Sequence, residues 1–171
     1  MSFVIKVIEM RQRVITAIFF AAIMLGGVYG GKASFTILCG VIIAGCLWEL
    51  FGILLPDEPG KKFRRIWGIA VAMVPLLPIV ENVFYSQPGM IYVLVFLAFT
   101  SFIVELFLSS KSPFQNIAYY LLGFFYICFP FVFLNWMVTT DIGGYSPGRV
   151  FGLLLLVWSN DTMAYFVGSQ F

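Results

Sequence analysis

An aspartate lies near the middle of the last apolar stretch of the chain. The stretch runs from Val150 to Phe171, and Asp161 is flanked there by Ser159, Asn160 and Thr162. A carboxylate at the centre of a membrane-spanning helix costs about 2.5–3.5 kcal/mol on insertion scales, so it usually faces a partner, a cation or water. The segment therefore predicts a polar site within a membrane protein.

The spacing around this aspartate predicts one chemically useful helix face. Asp161, Ala164, Tyr165 and Gly168 follow one another at the i, i+3, i+4 and i+7 positions of a helix. A carboxylate, a phenol and two small residues on one stripe leave room for a ligand or for close contact with another helix. A purely structural, hydrogen-bonded aspartate is the alternative.

Two further acids, Glu49 and Glu105, fall inside apolar stretches upstream. Each comes within a turn or two of the end of its stretch, so the simplest interpretation is that both carboxylates reach headgroup water. The alternative is that they converge with Asp161 on a cation or on cationic side chains.

Other residue types exclude several kinds of chemistry. The chain has no histidine, which removes imidazole bases, histidine metal ligands and Ser-His-Asp triads. Cys39, Cys46 and Cys128 lack C-x-x-C spacing and are expected to be packing residues. No glycine-rich phosphate loop is present, so a soluble nucleotide-binding domain is not expected.

The composition predicts the class of protein that must position these side chains. Apolar residues make up 61% of the chain, charged residues only 11%, and the mean hydropathy is +1.00. These values are far from those of soluble proteins, about a quarter of whose residues are charged. The formal charge of +2 and the absence of a long basic block argue against nucleic acid as a partner.

Six apolar stretches predict an all-α, polytopic membrane protein that forms a single helical unit over residues 1–171. A spanning helix needs about 20 apolar residues. The predicted spans are Val14–Gly31, Ala33–Leu55, Phe63–Val80, Gly89–Leu108, Ile117–Val138 and Val150–Phe171. In the third span Pro75 and Pro78 predict a kink.

The basic residues predict the orientation. With the N-terminus in the cytoplasm, eight basic residues lie inside and two outside, as the positive-inside rule requires. The inner set is Lys6, Arg11, Arg13, Lys61, Lys62, Arg64, Arg65 and Lys111, and the outer set is Lys32 and Arg149. The cluster Lys61, Lys62, Arg64 and Arg65 also suits anionic headgroups, although topology alone would explain it.

Ser159–Phe171, which reads SNDTMAYFVGSQF, resembles a segment of the phosphatidate cytidylyltransferase family, the CDP-diacylglycerol synthases. Two upstream segments are more loosely similar to the same family. Arg11–Ala17 looks like the basic entry to its first helix, and Trp48–Phe51 is similar to the acidic end of its second. The order and spacing of the three segments agree with six helices ahead of a cytoplasmic site.

This resemblance implies a membrane enzyme that joins CTP and phosphatidic acid to form CDP-diacylglycerol and pyrophosphate, with Mg²⁺ as the cofactor. It implies that Asp161 belongs to the metal or nucleotide site, with Asn160 beside it in the catalytic group. Thr162, Tyr165 and Gly168 are then expected to bind substrate or shape the cavity. The implied location is the inner (cytoplasmic) membrane with the active face toward the cytoplasm, and a homodimer is one further expectation.

The chain also departs from the family pattern. Family members continue after this segment into a Ser-, Pro- and Lys-rich loop and further helices with more acidic residues, whereas this chain stops at Phe171. Met163 stands where the family often has Gly. We therefore expect this chain to be the N-terminal part of a longer enzyme and to be inactive alone.

Three other functions stay open at the level of sequence. A related CTP-dependent lipid-alcohol kinase, acting on a polyprenol or phytol, would use similar chemistry. A transporter would also explain an intramembrane aspartate, although transporters commonly contain repeated halves and no repeat is seen here. A non-catalytic membrane scaffold is the third.

Overall fold

The computed structural model describes residues 2–76, 89–108, 111–138 and 144–170, and within these ranges its regular structure is helical, with no strand. The helices in these ranges are α1 (Ser2–Tyr29), α2 (Lys32–Leu54), α3 (Lys61–Met73), α4 (Gly89–Phe107), α5 (Pro113–Val138) and α6 (Pro147–Gln170). The predicted all-α class is confirmed for the described ranges. Each predicted span overlaps one of these helices, although α1 begins well before Val14 and α3 covers only the first part of its predicted span.

Three segments of the described chain are long and apolar enough to cross a membrane: Lys32–Leu54, Pro113–Val138 and Pro147–Gly168. Two shorter apolar segments, Ile15–Tyr29 and Val95–Phe107, lie in α1 and α4. The apolar helices therefore support a membrane protein, while six crossings and the cytoplasmic N-terminus remain predictions.

Helix α3 is shorter than the predicted third span. It begins after Gly60, whose φ of 89° lies in the left-handed region that glycine adopts at little cost. It ends at Met73 and passes into the 3₁₀ turn Val74–Leu76. Pro75 explains this ending, because proline has no N–H to continue the α-helical hydrogen bonds. Pro78 and the rest of the predicted span lie outside the described residues.

Helix α5 contains a π-helical segment, Phe124–Cys128, between its α-helical parts Pro113–Gly123 and Phe129–Val138. Pro130 follows this segment by two residues. A proline inside a helix lacks the N–H that would bond four residues back and crowds the carbonyl there, so a local widening relieves both effects. We attribute the π-helical segment to this proline.

Helix α2 lies at the centre of the bundle and packs against α1, α3 and α5. Its buried side chains recur every four residues along one stripe: Ile43, Leu47 and Phe51. They meet Ala72 from α3 and Tyr120 from α5 in one apolar cluster. This stripe fixes the distances between the helices that carry the buried polar residues described below.

Helix α6 is attached at the opposite end of the bundle from the α2–α3 loop. A second apolar cluster there joins α1, α2, α5 and α6 through Val28, Phe35, Cys39, Val138 and Val150. The hydroxyl of Tyr145, just before α6, donates to the carbonyl of Val28. Contact with α1 and α5 therefore anchors the beginning of α6, whereas its later turns are largely exposed.

Candidate functional site

The described part of the chain contains a buried carboxylate, Glu105, near the end of α4. The side chain is fully buried, and its Oε2 atom accepts hydrogen bonds from Arg64 Nε at 3.1 Å and Asn116 Nδ2 at 2.9 Å. Its Oε1 atom accepts a hydrogen bond from the hydroxyl of Tyr120 at 2.5 Å. Both carboxylate oxygens are thus bound by donors from α3 and α5.

Arg64 connects this carboxylate to the loops at the same end of the bundle. It is also fully buried, and its Nη1 and Nη2 atoms donate to the carbonyls of Pro59 at 3.1 Å and Leu108 at 3.3 Å. The carboxylate of Glu58 lies 3.6 Å from Nη1. One guanidinium therefore holds the α2–α3 loop, α3 and the end of α4 together. We call Arg64, Glu105, Asn116 and Tyr120 the buried polar network.

Local sequence places the members of the buried polar network on facing helix stripes. Arg64 follows Gly60 by one turn, and its backbone N–H donates to the Gly60 carbonyl at 2.9 Å. Asn116 and Tyr120 are four residues apart on α5 and so share a face. The next turn of α3 brings Gly68, where an added Cβ would lie 2.8 Å from the rings of Phe51 and Tyr120. Glycine at this position lets α3 pack closely against the rings that α2 and α5 present.

The structure corrects two interpretations of the sequence. Glu105 does not reach headgroup water, because α3 and α5 cover it and supply its hydrogen-bond donors. Arg64 is not available to a lipid headgroup, since it is buried in contact with two glutamates. Two features of the sequence could have indicated the buried polar network. One is an acid within the apolar stretch of α4, and the other is the pair Asn116 and Tyr120, four residues apart in the next apolar stretch.

The other three residues of the basic cluster, Lys61, Lys62 and Arg65, have different surroundings. Lys61 forms an ion pair with Asp57 at 2.7 Å, and this hydrogen bond lowers the pKa of the exposed Asp57 carboxyl. The Arg65 guanidinium lies 3.8 Å from the centre of the Trp48 ring and donates to the Trp48 carbonyl. Lys62 is exposed. The four basic residues therefore do not form one surface for anionic headgroups.

The residues singled out at the end of the sequence lie together on α6. Since α6 is helical from Pro147 to Gln170, Asp161, Ala164, Tyr165 and Gly168 share a face. All four are exposed, as are Asn160 and Thr162. Thr162 turns its hydroxyl back to the Trp158 carbonyl at 2.7 Å, and open space surrounds Gly168.

The three intramembrane acids do not form one metal centre. Glu49 and Asp161 are exposed, on α2 and α6, whereas Glu105 belongs to the buried polar network. Among the described residues no group of three His, Cys, Asp or Glu side chains could hold a metal ion. Mg²⁺ is commonly bound by one or two carboxylates together with substrate phosphates. Asp161 is compatible with a site in which substrate phosphates complete the coordination of Mg²⁺. The described residues do not supply all the ligands of a metal ion around it.

Comparison with known proteins identifies the family. Residues 11–171 match the model of the Cytidylyltransferase family, so the chain belongs to that family. It is 26% identical over 172 residues to the phosphatidate cytidylyltransferase of Bacillus subtilis (strain 168). That match covers 95% of this chain and 60% of the relative, so the chain spans less than two thirds of the relative's length. No solved structure matches the chain.

Proposed function

We propose that the natural protein carrying this chain is a phosphatidate cytidylyltransferase, which makes CDP-diacylglycerol and pyrophosphate from CTP and phosphatidic acid. The observation that carries the proposal is the family match over residues 11–171. The relative named as a phosphatidate cytidylyltransferase and the apolar helices support a membrane-embedded enzyme with a lipid substrate.

In the proposed reaction a phosphate oxygen of phosphatidic acid attacks the α-phosphorus of CTP, and the bond from that phosphorus to the pyrophosphate leaving group breaks. Both substrates are anions, so the enzyme must hold them in line and neutralise the charge on the transferred group. The chain has no histidine. Residues 1–171 would therefore contribute carboxylates, amides, hydroxyls and basic side chains to this chemistry.

We propose that the active site includes the face of α6 that carries Asp161, Tyr165 and Gly168. Asp161 would supply a hard oxygen ligand to Mg²⁺, with Asn160 as a second polar group in the catalytic position. Bound Mg²⁺ would neutralise phosphate charge and help to orient the nucleotide. Thr162, Tyr165 and Gly168 would shape the adjacent substrate cavity, and the open space at Gly168 would accommodate a ligand.

We further propose that the active face is toward the cytoplasm at the inner membrane, with the N-terminus of α1 on the same side. In this arrangement all six helices cross the bilayer. We propose that residues 1–171 alone lack turnover, because they correspond to only 60% of the relative that they match.

The first test measures label in a chloroform-soluble product formed by membranes containing the natural protein. CTP is labelled either on the α-phosphate, which a cytidylyltransferase transfers to the lipid, or on the γ-phosphate, which a kinase transfers. Phosphatidic acid and a polyprenol are offered as separate acceptors. We expect product with phosphatidic acid and Mg²⁺. Product with the prenol alone would instead indicate a lipid-alcohol kinase, and solute uptake without CTP turnover would indicate a transporter.

The second test addresses Asp161 itself. Asp161→Asn should lower turnover at least about 100-fold, because it removes a charged ligand while keeping the shape of the side chain. Asp161→Glu should retain more activity and show an altered Mg²⁺ dependence. Asp57→Asn is the matched control, since it removes an exposed carboxylate from the α2–α3 loop. Unchanged turnover and Mg²⁺ dependence in Asp161→Asn would overturn the assignment of this residue.

A further inference from the structure

A cavity of about 190 Å³ lies between α3, α4 and α5, next to the buried polar network. The small residues Gly68, Ala72, Ala98 and Ser101 line it on α3 and α4, and Tyr120 lines it on α5. The space exists because the side chains on α3 and α4 are small and the aromatic rings of α5 do not fill the gap between the helices.

The few polar atoms in the cavity wall are already committed to protein partners. The Ser101 hydroxyl donates to the Leu97 carbonyl at 2.9 Å and accepts from Trp67 Nε1 at 3.2 Å. The Tyr120 hydroxyl donates its hydrogen to Glu105. Neither hydroxyl has a hydrogen left for a phosphate, a sugar or a base. A ligand in this cavity must therefore be held by apolar contact.

The cavity reaches the outer surface of the bundle through apolar side chains. Phe102, Leu121 and Phe125 also line it, and they are 41%, 49% and 59% exposed. They lie on α4 and on α5, and α5 is long and apolar enough to cross a membrane. The mouth is therefore continuous with the surface that faces lipid hydrocarbon.

The direction of the cavity matches that of a lipid chain. Along α5 the lining runs from Ile117 to Phe125, eight helical steps or about 12 Å, away from the buried polar network. The network end carries two exposed cations, Lys62 in the first turn of α3 and Lys111 just before α5. A phospholipid with its phosphate at this charged end would direct its chains along the cavity axis.

From these observations we propose that the cavity between α3, α4 and α5 binds one acyl chain of a membrane phospholipid. The occupant is hydrocarbon because the hydroxyls that the described residues contribute to the wall are already donating to protein partners. It comes from the bilayer because the mouth lies on the lipid-facing surface. The chain would contact the outer face of Tyr120 while the hydroxyl of that residue holds Glu105. The proposal does not depend on the proposed enzymatic activity.

The proposal is tested with the natural protein reconstituted in phosphatidylglycerol vesicles that contain a trace of phosphatidylglycerol bearing a photoactivatable diazirine on one acyl chain. Cross-linked residues are located by mass spectrometry. Ile37 and Val41 on α2 serve as the reference for lipid contact without a cavity, since both are 67% exposed. We expect cross-links at Ala98, Phe102 and Phe125 to exceed those at the reference positions at least about tenfold, equivalent to 1.4 kcal/mol.

Filling the cavity should remove this excess. Ala98→Phe and Val71→Phe fill the cavity from α4 and α3, respectively. Size-exclusion chromatography checks that each variant folds, and either one alone is sufficient for the test. Either variant should lower cross-linking at Phe102 and Phe125 to the level of Ile37 and Val41, with the reference unchanged. Equal cross-linking at cavity and reference positions in the unaltered protein, or an excess that survives filling, would overturn the proposal.

Discussion

At the scale of single residues, the most consequential contact is that between Arg64 and Glu105. Both side chains are fully buried, and together they engage the α2–α3 loop, α3, α4 and α5. A buried ion pair gains little over an apolar pair of similar size, because both charges must be removed from water. The pair has a stronger effect on which helices pack together, because each buried charge is stable only beside a group of opposite charge.

Removing one charge of this pair should therefore cost more stability than removing both. Glu105→Leu should destabilise the protein by about 3–5 kcal/mol, because it leaves the buried Arg64 Nε–H without its acceptor and only the more distant Glu58 carboxylate beside the charge. Adding Arg64→Met should recover part of that loss, since the unmatched charge is then removed. Thermal unfolding in detergent micelles measures both effects.

The ion pair between the exposed Asp57 and the half-buried Lys61 provides the control for this prediction. Asp57→Ala should change the unfolding temperature little, because solvent screens an exposed ion pair. A double variant, Arg64→Met with Glu105→Leu, that is destabilised by the full sum of its single changes would contradict the argument from unmatched charge.

At the scale of helices, close approach between α2, α3 and α5 sets the position of the buried polar network. The contact depends on Gly68, where the rings of Phe51 and Tyr120 occupy the place of a side chain. Helix α2 supplies the other half of the contact through the Leu47 and Phe51 stripe. The polar residues therefore meet beside a tight apolar contact.

The corresponding prediction compares two glycine-to-alanine substitutions. Gly68→Ala should cost about 1–3 kcal/mol through overpacking, because its Cβ would lie 2.8 Å from two aromatic rings. Gly45→Ala on α2 is the matched control, since its Cβ would meet nothing within 4 Å and alanine favours the helix. Unfolding temperatures give the comparison, and equal effects at the two positions would show that ring contact at Gly68 is unimportant.

At the scale of the whole molecule, the bundle has two chemically different ends. One carries the α2–α3 loop, Lys62, Lys111 and the buried polar network. The other carries the Val28 and Val138 cluster and the start of α6. The imbalance of basic residues between these ends is the basis for placing the first end in the cytoplasm.

Cysteine labelling with a membrane-impermeant maleimide tests this orientation. In a Cys46→Ala background, Lys62→Cys should react when the cytoplasmic face is accessible and Gly148→Cys when the opposite face is accessible. Both replaced positions are exposed, while native Cys39 and Cys128 are buried. Labelling of the two new cysteines from the same side would contradict the predicted topology.

Much of the architecture could be predicted from the sequence because helix formation in a membrane depends on local properties. Long apolar stretches bounded by charge, proline or glycine indicate where helices begin and end. Helices α2, α4, α5 and α6 follow those boundaries to within a few residues, whereas α1 begins earlier and α3 ends earlier than predicted. The SNDTMAYFVGSQF segment likewise indicated the family that the comparison confirmed.

Tertiary structure alone decided which polar side chains meet. Arg64 and Glu105 are 41 positions apart, and the hydropathy around Glu105 is the same whether it faces headgroups or a guanidinium. Local patterns determine that a helix forms but not which of its faces packs against which neighbour. For the same reason Asp161, prominent in the sequence, lies exposed on α6, while the buried polar network arises from the packing of α3, α4 and α5.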